Sequence, residues 1–359
     1  MHRVFRWSCR ALERMRVVSR GVALILTMFV LSTFGCHNGA ESRSAATGVR
    51  VITPIPFGEL NDGAEYNASG VVPLGDSRFL FCDNHAADAL YELDLNSDGR
   101  MRNGLIRRPL EGLADDSGDS IDDLEGMTLA EENGRQFMFV NSSLCLKKVQ
   151  EDPDEKPVRV PSNGLLRVEI KPRQILSAEN MPGFRDWLIR NEPDLADAAA
   201  RKPNEDGLNI EGLAWDRNRH ALLFGARSPA PEGELLVIPV KVKDLAGSWT
   251  TDNLEASAPI RLSPEPAPDT QGIRSLEYIE DLGSFLVVVG NSREHSKVPF
   301  TLYEWDGQPA GALRRLPVSF ARAMKPEGLT AGTVGGKRVL LFVDDAGGYQ
   351  ISPLDGSLH

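Results

Sequence analysis

The sequence lacks the short motifs that identify the commonest enzyme classes. It contains no Gly-x-Ser-x-Gly elbow, no Walker loop and no Gly-x-Gly-x-x-Gly between a strand and a helix, so nothing supports a serine hydrolase, a nucleoside triphosphatase or a dinucleotide-binding protein. Cysteine is scarce, at four residues, and without a Cys-x-x-Cys pair a structural zinc site is not indicated. A disulfide between Cys82 and Cys145 is one alternative, but the sequence favours two buried thiols.

Positive charge is also in short supply. The chain has 40 Lys and Arg residues against 51 Asp and Glu residues, a formal charge of −11. The first 35 residues hold six of the arginines and one acid, so the remainder has 34 basic and 50 acidic residues. Such a surface repels phosphate backbones and anionic lipid headgroups. We therefore expect no nucleic-acid partner, and membrane contact only through an anchor.

Long apolar runs are rare, and the clearest one lies near the N-terminus. An arginine-rich start precedes the uncharged apolar residues 21–34, which are too few for a typical membrane span and suit a signal peptide. Gly35-Cys36 and the polar residues 37–47 follow, which resembles a bacterial lipoprotein signal. We predict a signal at 1–35, lipidation of Cys36, a tether at 36–47 and a periplasmic or cell-envelope location. Simple cleavage with release and a retained membrane anchor are the alternatives.

The most informative feature that is present is an internal repeat. A phrase built on Glu-Gly-Leu is followed by a polar turn and then by an apolar run. Three close copies lie at residues 124–141, 210–225 and 326–344, and two looser ones at 68–83 and 273–291. Each copy predicts two antiparallel strands, and further short strands follow it. The repeat recurs at spacings of about 55 to 85 residues, as in proteins built from four-stranded units.

Four strands per unit predict an all-β fold, a β-propeller, because one small sheet cannot bury both faces and radial stacking solves this. Five blades are visible, and residues 172–206 leave room for a sixth. That stretch reads instead as two short helices, 182–191 and 193–201, with a proline at each start. We predict a propeller domain at 48–359, with a helical insertion at 180–205 covering one mouth and residues 49–53 supplying the outer strand of the last blade. A two-sheet β-sandwich is the runner-up.

Three glutamates recur at the start of the predicted innermost strands, which border the axial channel. Glu125, Glu211 and Glu327 occupy the same place in the three close copies, and Arg274 occupies it in a fourth. Carboxylates this close cannot all ionise cheaply without a cation. The sequence therefore predicts a polar binding site at one channel mouth.

Three arrangements would satisfy these carboxylates. Calcium is the candidate cofactor, because it takes six to eight oxygen ligands. Its further ligands would come from the ends of the second strands, at Asn141, Asn291, Asp83 and Asp344. Alternatively, arginines neutralise the carboxylates, the candidates being Arg227, Arg274 and Arg293. In the third arrangement each glutamate caps backbone N–H groups of a neighbouring blade, which is a purely structural role.

One repeat carries a family resemblance. Asn-Ile-Glu-Gly-Leu-Ala-Trp at 209–215, with Leu-Leu-Phe-Gly-Ala-Arg-Ser-Pro at 222–229, resembles a bacterial family of unknown function (domain of unknown function 3616), over residues 65–350. The Glu-Gly-Leu phrase is also similar to the esterase-like phytase propellers and, more distantly, to the gluconolactonase and regucalcin propellers. In those propellers a channel glutamate binds a divalent metal. The resemblance implies such a role for Glu125, Glu211 and Glu327.

Two classes of function follow. The first is an exported, lipid-anchored β-propeller of unassigned activity whose channel mouth binds a small molecule or a peptide. The second is a divalent-metal-dependent hydrolase that acts on phosphoesters or lactones outside the cytoplasm. A metal with open coordination positions would favour the hydrolase, and a mouth closed by salt bridges would favour the binding protein. Whether the chain is an enzyme stays open at this point.

Overall fold

A computed structural model describes residues 50–58, 65–113, 121–149, 158–171, 176–264, 271–293 and 299–355. The signal, Cys36 and the tether lie outside these residues. Two short strands, β1 (Arg50–Ile52) and β2 (Ile55–Pro56), precede five sheet units that follow one another along the chain, the last of which contributes only three strands of its own. The all-β propeller with a small helical insertion is confirmed.

The first two blades are joined into one eight-stranded sheet, in the order β3-β4-β5-β6-β12-β11-β8-β7. The strands of blade 1 are β3 (Ala68–Gly75), β4 (Arg78–Asp83), β5 (Ala89–Asp94) and β6 (Ile106–Glu111). The strands of blade 2 are β7 (Leu124–Glu132), β8 (Arg135–Ser142), β11 (Leu165–Ile170) and β12 (Leu176–Asn180). A hairpin, β9 (Leu146–Val149) with β10 (Val158–Pro161), projects between β8 and β11. The outer strands β6 and β12 pair in parallel, which joins the two blades.

The other three blades form separate sheets. Blade 3 has β13 (Asn209–Asp216), β14 (Ala221–Ser228), β15 (Leu235–Val242) and a divided outer strand, β16 (Leu254–Ala256) and β17 (Ile260–Leu262). Blade 4 has β18 (Gln271–Ile279), β19 (Ser284–Asn291), β20 (Thr301–Trp305) and β21 (Arg314–Phe320). Blade 5 has β22 (Pro326–Val334), β23 (Lys337–Asp344) and β24 (Gly348–Pro353).

The N-terminal strands complete the last two blades, but not as the sequence suggested. The strand β1, within the predicted run 49–53, pairs in parallel with β21 on the outside of blade 4. The missing fourth strand of blade 5 is β2, which pairs with β24. The prediction that residues 49–53 fill the last blade was therefore wrong by one blade. The next segment along the chain, three residues further on, does so instead.

The ring closes with five blades. Each inner strand packs against the inner strand of the next blade, in the order β3, β7, β13, β18, β22, and β22 packs back against β3. Inner strands of non-adjacent blades also approach one another across the axis. Between the strand β12 and blade 3, the described regular elements are short helices and 3-10 turns, with no strand among them. The room left for a sixth blade is therefore taken up by the insertion.

Tight turns fix the register of the inner hairpins. In blades 1, 2 and 5, two residues separate the inner strand from the second strand, and both have positive φ angles. The pairs are Asp76-Ser77, Asn133-Gly134 and Gly335-Gly336. Positive φ at both positions is the geometry that matches the twist of a β-hairpin. A fixed register matters because a one-residue slip would turn every channel-facing side chain away from the axis.

The helical insertion packs on the seam between blades 2 and 3. It contains α1 (Phe184–Asn191), α2 (Pro193–Ala196) and two single 3-10 turns, Ala198–Ala200 and Pro203–Glu205. Phe184 and Leu188 share one buried cluster with Phe224 of β14. The insertion was expected to cover one mouth. Its buried contacts lie on the seam, and Asp206, directly after it, pairs with Arg293 at 2.9 Å.

Each seam between blades is filled by large apolar side chains. At the seam between blades 2 and 3, the rings of Phe139 and Trp215 stack with centroids 6.4 Å apart, and Trp249 donates its indole N–H to the Leu165 carbonyl. Burying one such side chain contributes roughly 1.5–3 kcal/mol. Two further single 3-10 turns, Pro231–Gly233 and Thr251–Asn253, lie in the loops of blade 3. None of the helices in the described part of the chain is long and apolar enough to cross a bilayer.

Candidate functional site

One side chain from each inner strand meets at the channel mouth where these strands begin. We call this set the polar ring; its members are Ser69, Glu125, Glu211, Arg274 and Glu327. In every blade the pairing between the inner and second strands is interrupted at this position. Such a β-bulge bends the strand and re-aims a side chain. The repeated phrase therefore specifies a bulge that presents one polar side chain per blade.

The glycine after the ring position lets neighbouring blades approach closely. A Cβ atom built on Gly328 of blade 5 would lie 1.9 Å from the Ser69 carbonyl oxygen of blade 1, and one on Gly126 would lie 2.6 Å from Leu213 Cβ. Real Cβ atoms essentially never come within 3.0 Å of another atom. Glycine is therefore required at these two seams, whereas blade 4 has Ser275 at the corresponding position.

Arg274 supplies a buried cation to the polar ring. Its Nε atom lies 2.9 Å from Glu211 Oε2, without hydrogen-bond geometry, and its Nη2 atom pairs with Glu327 Oε1. These three side chains are only 4%, 2% and 5% exposed. Burial, helped by Arg227, lowers the pKa of Arg274 to about 10, and Glu211 and Glu125 oppose this shift. The guanidinium is therefore charged at neutral pH and compensates two carboxylates.

Arg227, at the end of β14, is the second cation of the mouth. Its Nη1 atom donates to Glu211 Oε1 at 2.7 Å, and Asn209 Nδ2 donates to the same oxygen at 3.2 Å. Burial acts to lower the pKa of Arg227, but Glu211, Glu125 and Asp345 together outweigh it and the pKa is raised. The Arg227 side chain is 17% exposed. It is therefore more accessible than Arg274.

Glu125 is the uncompensated carboxyl of the ring. No ion pair reaches it among the described residues, and its buried Oε2 atom has no hydrogen-bond partner. Burial and the nearby Glu211 and Asp123 raise the pKa of Glu125 well above its ordinary value of 4.5, while Arg274 and Ser69 oppose this. The ring thus contains one acid that forms no ion pair within the described part of the chain, and the lack of a close cation leaves its pKa high.

A second polar level lies three residues further along the inner strands. Glu277 of blade 4 accepts from Thr128 of blade 2 at 3.4 Å and from Thr330 of blade 5 at 3.3 Å. Thr128 also accepts the Trp215 backbone N–H at 3.0 Å. Burial raises the pKa of Glu277 well above its ordinary value, and the two hydroxyls only partly oppose this. Glu277 therefore links three blades across the channel.

The polar residues that end the second strands fall into two groups. Asp83 and Asp344 each accept two backbone N–H groups of adjoining loops. The side-chain amides of Asn141 and Asn291 donate to backbone carbonyls, including that of Ile210 in the next blade. Their strongest contacts are thus structural.

The predicted site residues separate into those that meet and those that do not. Glu125, Glu211, Glu327, Arg227 and Arg274 are brought together as the sequence suggested. Arg293 instead pairs with Asp206 on the rim. Within the described part of the chain, no three His, Cys, Asp or Glu side chains are grouped as metal ligands would be. The calcium site with Asn141 and Asn291 stays a prediction.

Sequence reasoning missed Glu277 and its threonine partners. A signal for them exists, because Thr128, Glu277 and Thr330 each stand three residues after the ring position of their repeat.

Cys82, directly beneath the ring, accepts the Gly70 N–H at 3.2 Å and donates to the Glu125 carbonyl at 3.3 Å. Cys82 and Cys145 are both free and buried, which confirms the expectation of two thiols.

Buried polar atoms without a hydrogen-bond partner concentrate at this mouth. Among the described residues, most of these atoms lie at the starts of inner strands or the ends of second strands, and all five blades contribute. The clearest are Glu125 Oε2, Asn141 Oδ1, Asn209 Oδ1, Arg227 Nε, Gln271 Nε2 and Asp344 Oδ2. Leaving one such atom unpaired costs about 1–3 kcal/mol. The concentration of both donors and acceptors marks the mouth as a place where a polar molecule gains hydrogen bonds.

No protein-family model matches the sequence, and no curated protein matches it. Among solved structures, the chain is similar to an endo-arabinase from Bacteroides thetaiotaomicron VPI-5482, with 13% identity, a TM-score of 0.46 and coverage of 85% of this chain and 97% of that one. It is also similar to a thermostable family-43 glycoside hydrolase, with 12% identity, a TM-score of 0.44 and coverage of 80% and 88%. An exo-1,5-α-L-arabinanase from a bovine ruminal metagenomic library has 10% identity, a TM-score of 0.42 and coverage of 81% and 92%. Likeness at this level assigns no activity to this chain, which is a β-propeller by its own blade order.

Proposed function

We propose that this protein is a ligand-binding β-propeller, related to the family of domain of unknown function 3616, that holds a small polar molecule at its channel mouth. The observation that carries the proposal is the concentration of buried, unpartnered polar atoms around the polar ring. Native proteins pair nearly all such atoms. A ligand that supplies the missing donors and acceptors would recover that lost free energy.

Salt bridges within the ring favour binding over metal-dependent hydrolysis. Arg274 stands between Glu211 and Glu327, in the position that a divalent ion would need to occupy. A fixed guanidinium neutralises the carboxylates without offering open coordination positions. The arrangement is therefore suited to hydrogen-bonded recognition.

A thermal-shift screen tests the proposal. The purified full-length protein is heated with neutral sugars, carboxylic acids, α-amino acids and calcium chloride in turn. A compound that binds only the native state at a hundredfold excess over its Kd stabilises the protein by about 2.7 kcal/mol. We expect the shift to be lost in Arg227→Gln and kept in Lys241→Gln. Lys241 pairs with Glu255 at an exposed site on β15. If no compound class gives a shift that depends on the mouth, the proposal is wrong.

We also propose that the protein is exported and anchored through Cys36. The support is the arginine-rich start, the apolar run at 21–34 and the Gly35-Cys36 pair. Cys36→Ala should move the mature protein from the detergent-rich phase to the aqueous phase in detergent phase separation. Identical partitioning of the two proteins would rule out lipidation.

A further inference from the structure

The mouth has three glutamates and two arginines, and this difference indicates which charged groups a ligand needs. Glu211 and Glu327 already have Arg274, and Glu211 also has Arg227. Glu125 forms no ion pair with any described residue, although it is only 6% exposed. The inference rests on the proposed binding function and names the chemistry of the ligand.

Arg227 is the complementary half of the imbalance. Its Nη1 atom donates to Glu211, but its buried Nε atom has no hydrogen-bond partner among the described residues. A guanidinium presents its N–H groups in a planar fork that fits a carboxylate. Arg227 pairs with Glu211 at 2.7 Å, and both side chains interact electrostatically with Glu125. The mouth therefore offers, near each other, a guanidinium with an unused N–H group and a carboxyl group without an ion-pair partner among the described residues.

Three simpler ligand classes fit less well. A lone anion would bind Arg227 but would be repelled by Glu125, Glu211 and Glu327. A lone cation would bind Glu125 but would face Arg227 and Arg274, and like charges oppose one another in a medium of low polarity. A neutral polyol would form hydrogen bonds but would bring no cation to Glu125, whereas an ammonium group there would favour its ionised form. Only a molecule with both charges satisfies both open groups.

We infer that the mouth binds a small zwitterion of the α-amino acid class, with its ammonium group on Glu125 and its carboxylate on Arg227. Asn209 Oδ1 and Gln271 Nε2, both buried and unpartnered, are placed on the neighbouring inner strands to accept from the ammonium group and donate to the carboxylate. Charge-assisted hydrogen bonds of this kind are about twice as strong as neutral ones. An ammonium group on Glu125 would explain why the mouth has one arginine fewer than it has glutamates.

Isothermal titration of the full-length protein with the common α-amino acids tests the inference. For the tightest amino acid, two matched probes follow: its amide, which lacks the carboxylate, and its hydroxy-acid analogue, which lacks the ammonium group. Each probe should bind at least tenfold more weakly than the amino acid. Glu125→Gln should weaken the amino acid at least tenfold and leave the hydroxy acid within about threefold, whereas Arg227→Gln should weaken both.

The outcomes separate the inference from the proposed function. If a sugar or polyol binds in a manner that requires Arg227 and no amino acid does, the mouth is a ligand site but the zwitterion inference is wrong. If Glu125→Gln weakens the amino acid and its hydroxy acid equally, the ammonium group is not on Glu125 and the inference fails. If no compound binds, both proposals fail. Melting curves and circular dichroism of both variants establish that they are folded before titration.

Discussion

Removing the buried cation of the polar ring should strongly destabilise the protein. Arg274→Met keeps an apolar stem of similar length and deletes the charge between Glu211 and Glu327. Glu327 then loses its only ion pair among the described residues, while Glu211 keeps Arg227. Breaking a fully buried ion pair from one side costs about 3–5 kcal/mol. For a domain of this size, that corresponds to a fall in melting temperature of roughly 6–10 °C.

A second substitution separates charge from packing. Glu327→Gln alone leaves Arg274 with Glu211 and should cost about 1–3 kcal/mol through a weakened hydrogen bond. In Arg274→Met with Glu327→Gln, the stranded carboxylate is gone and Glu211 still has Arg227. The double variant should therefore be more stable than Arg274→Met alone by at least about 1 kcal/mol, since contacting residues couple by 0.5–3 kcal/mol.

Urea unfolding at neutral pH, followed by tryptophan fluorescence, measures all four proteins of this cycle. The denaturation midpoints give the free energies if the slopes agree. Strictly additive losses, or an Arg274→Met variant within about 0.5 kcal/mol of the parent, would refute the view that Arg274 compensates buried carboxylates.

Three further results are expected. Burial raises the folded-state pKa of Glu277 above its ordinary 4.5, so its contribution to stability is complete below pH 4.5 and is lost as pH rises through the folded pKa. Between pH 5 and 8 the melting temperature should therefore fall less for Glu277→Gln than for the parent, and parallel profiles would contradict this. Gly328→Ala should destabilise by roughly 1–3 kcal/mol through overpacking at the seam, whereas Gly164→Ala, whose added Cβ meets nothing nearer than 3.4 Å, should cost less; equal losses would be the contrary result. A chelator should leave the melting curve unchanged if arginines balance the ring, and a drop accompanied by bound calcium in elemental analysis would restore the metal hypothesis.

The repeat was sufficient to predict the blades and most of the polar ring. Each Glu-Gly copy became an inner strand with a bulge, because the glutamate faces the channel and the glycine admits the neighbouring blade. The departure at Arg274 was informative, since an arginine in a glutamate position supplies the charge that its neighbours need. These features depend on residues close together in sequence and recur in each blade, so the repeat alone is enough to predict them.

What the sequence did not predict depends on contacts between distant segments. The assignment of β1 to blade 4 and of β2 to blade 5 follows from pairing across some 300 residues, and strands of three and two residues carry no periodic pattern. Arg293 was expected to neutralise the ring, but it pairs with Asp206, which directly follows the helical insertion. Glu277 was overlooked because its partners come from two other blades.

The closing pairs β1 with β21 and β2 with β24 have a consequence for the order of assembly during synthesis. The first-made strands of the domain have partners that are made last, so neither pair can form until nearly the whole domain has been translated. Contacts of such separation slow folding, since the intervening chain must be ordered first. Until then β21 and β24 each present an open edge, to which another chain can add. A nascent or truncated form is thus at greatest risk of aggregation just before the ring is closed.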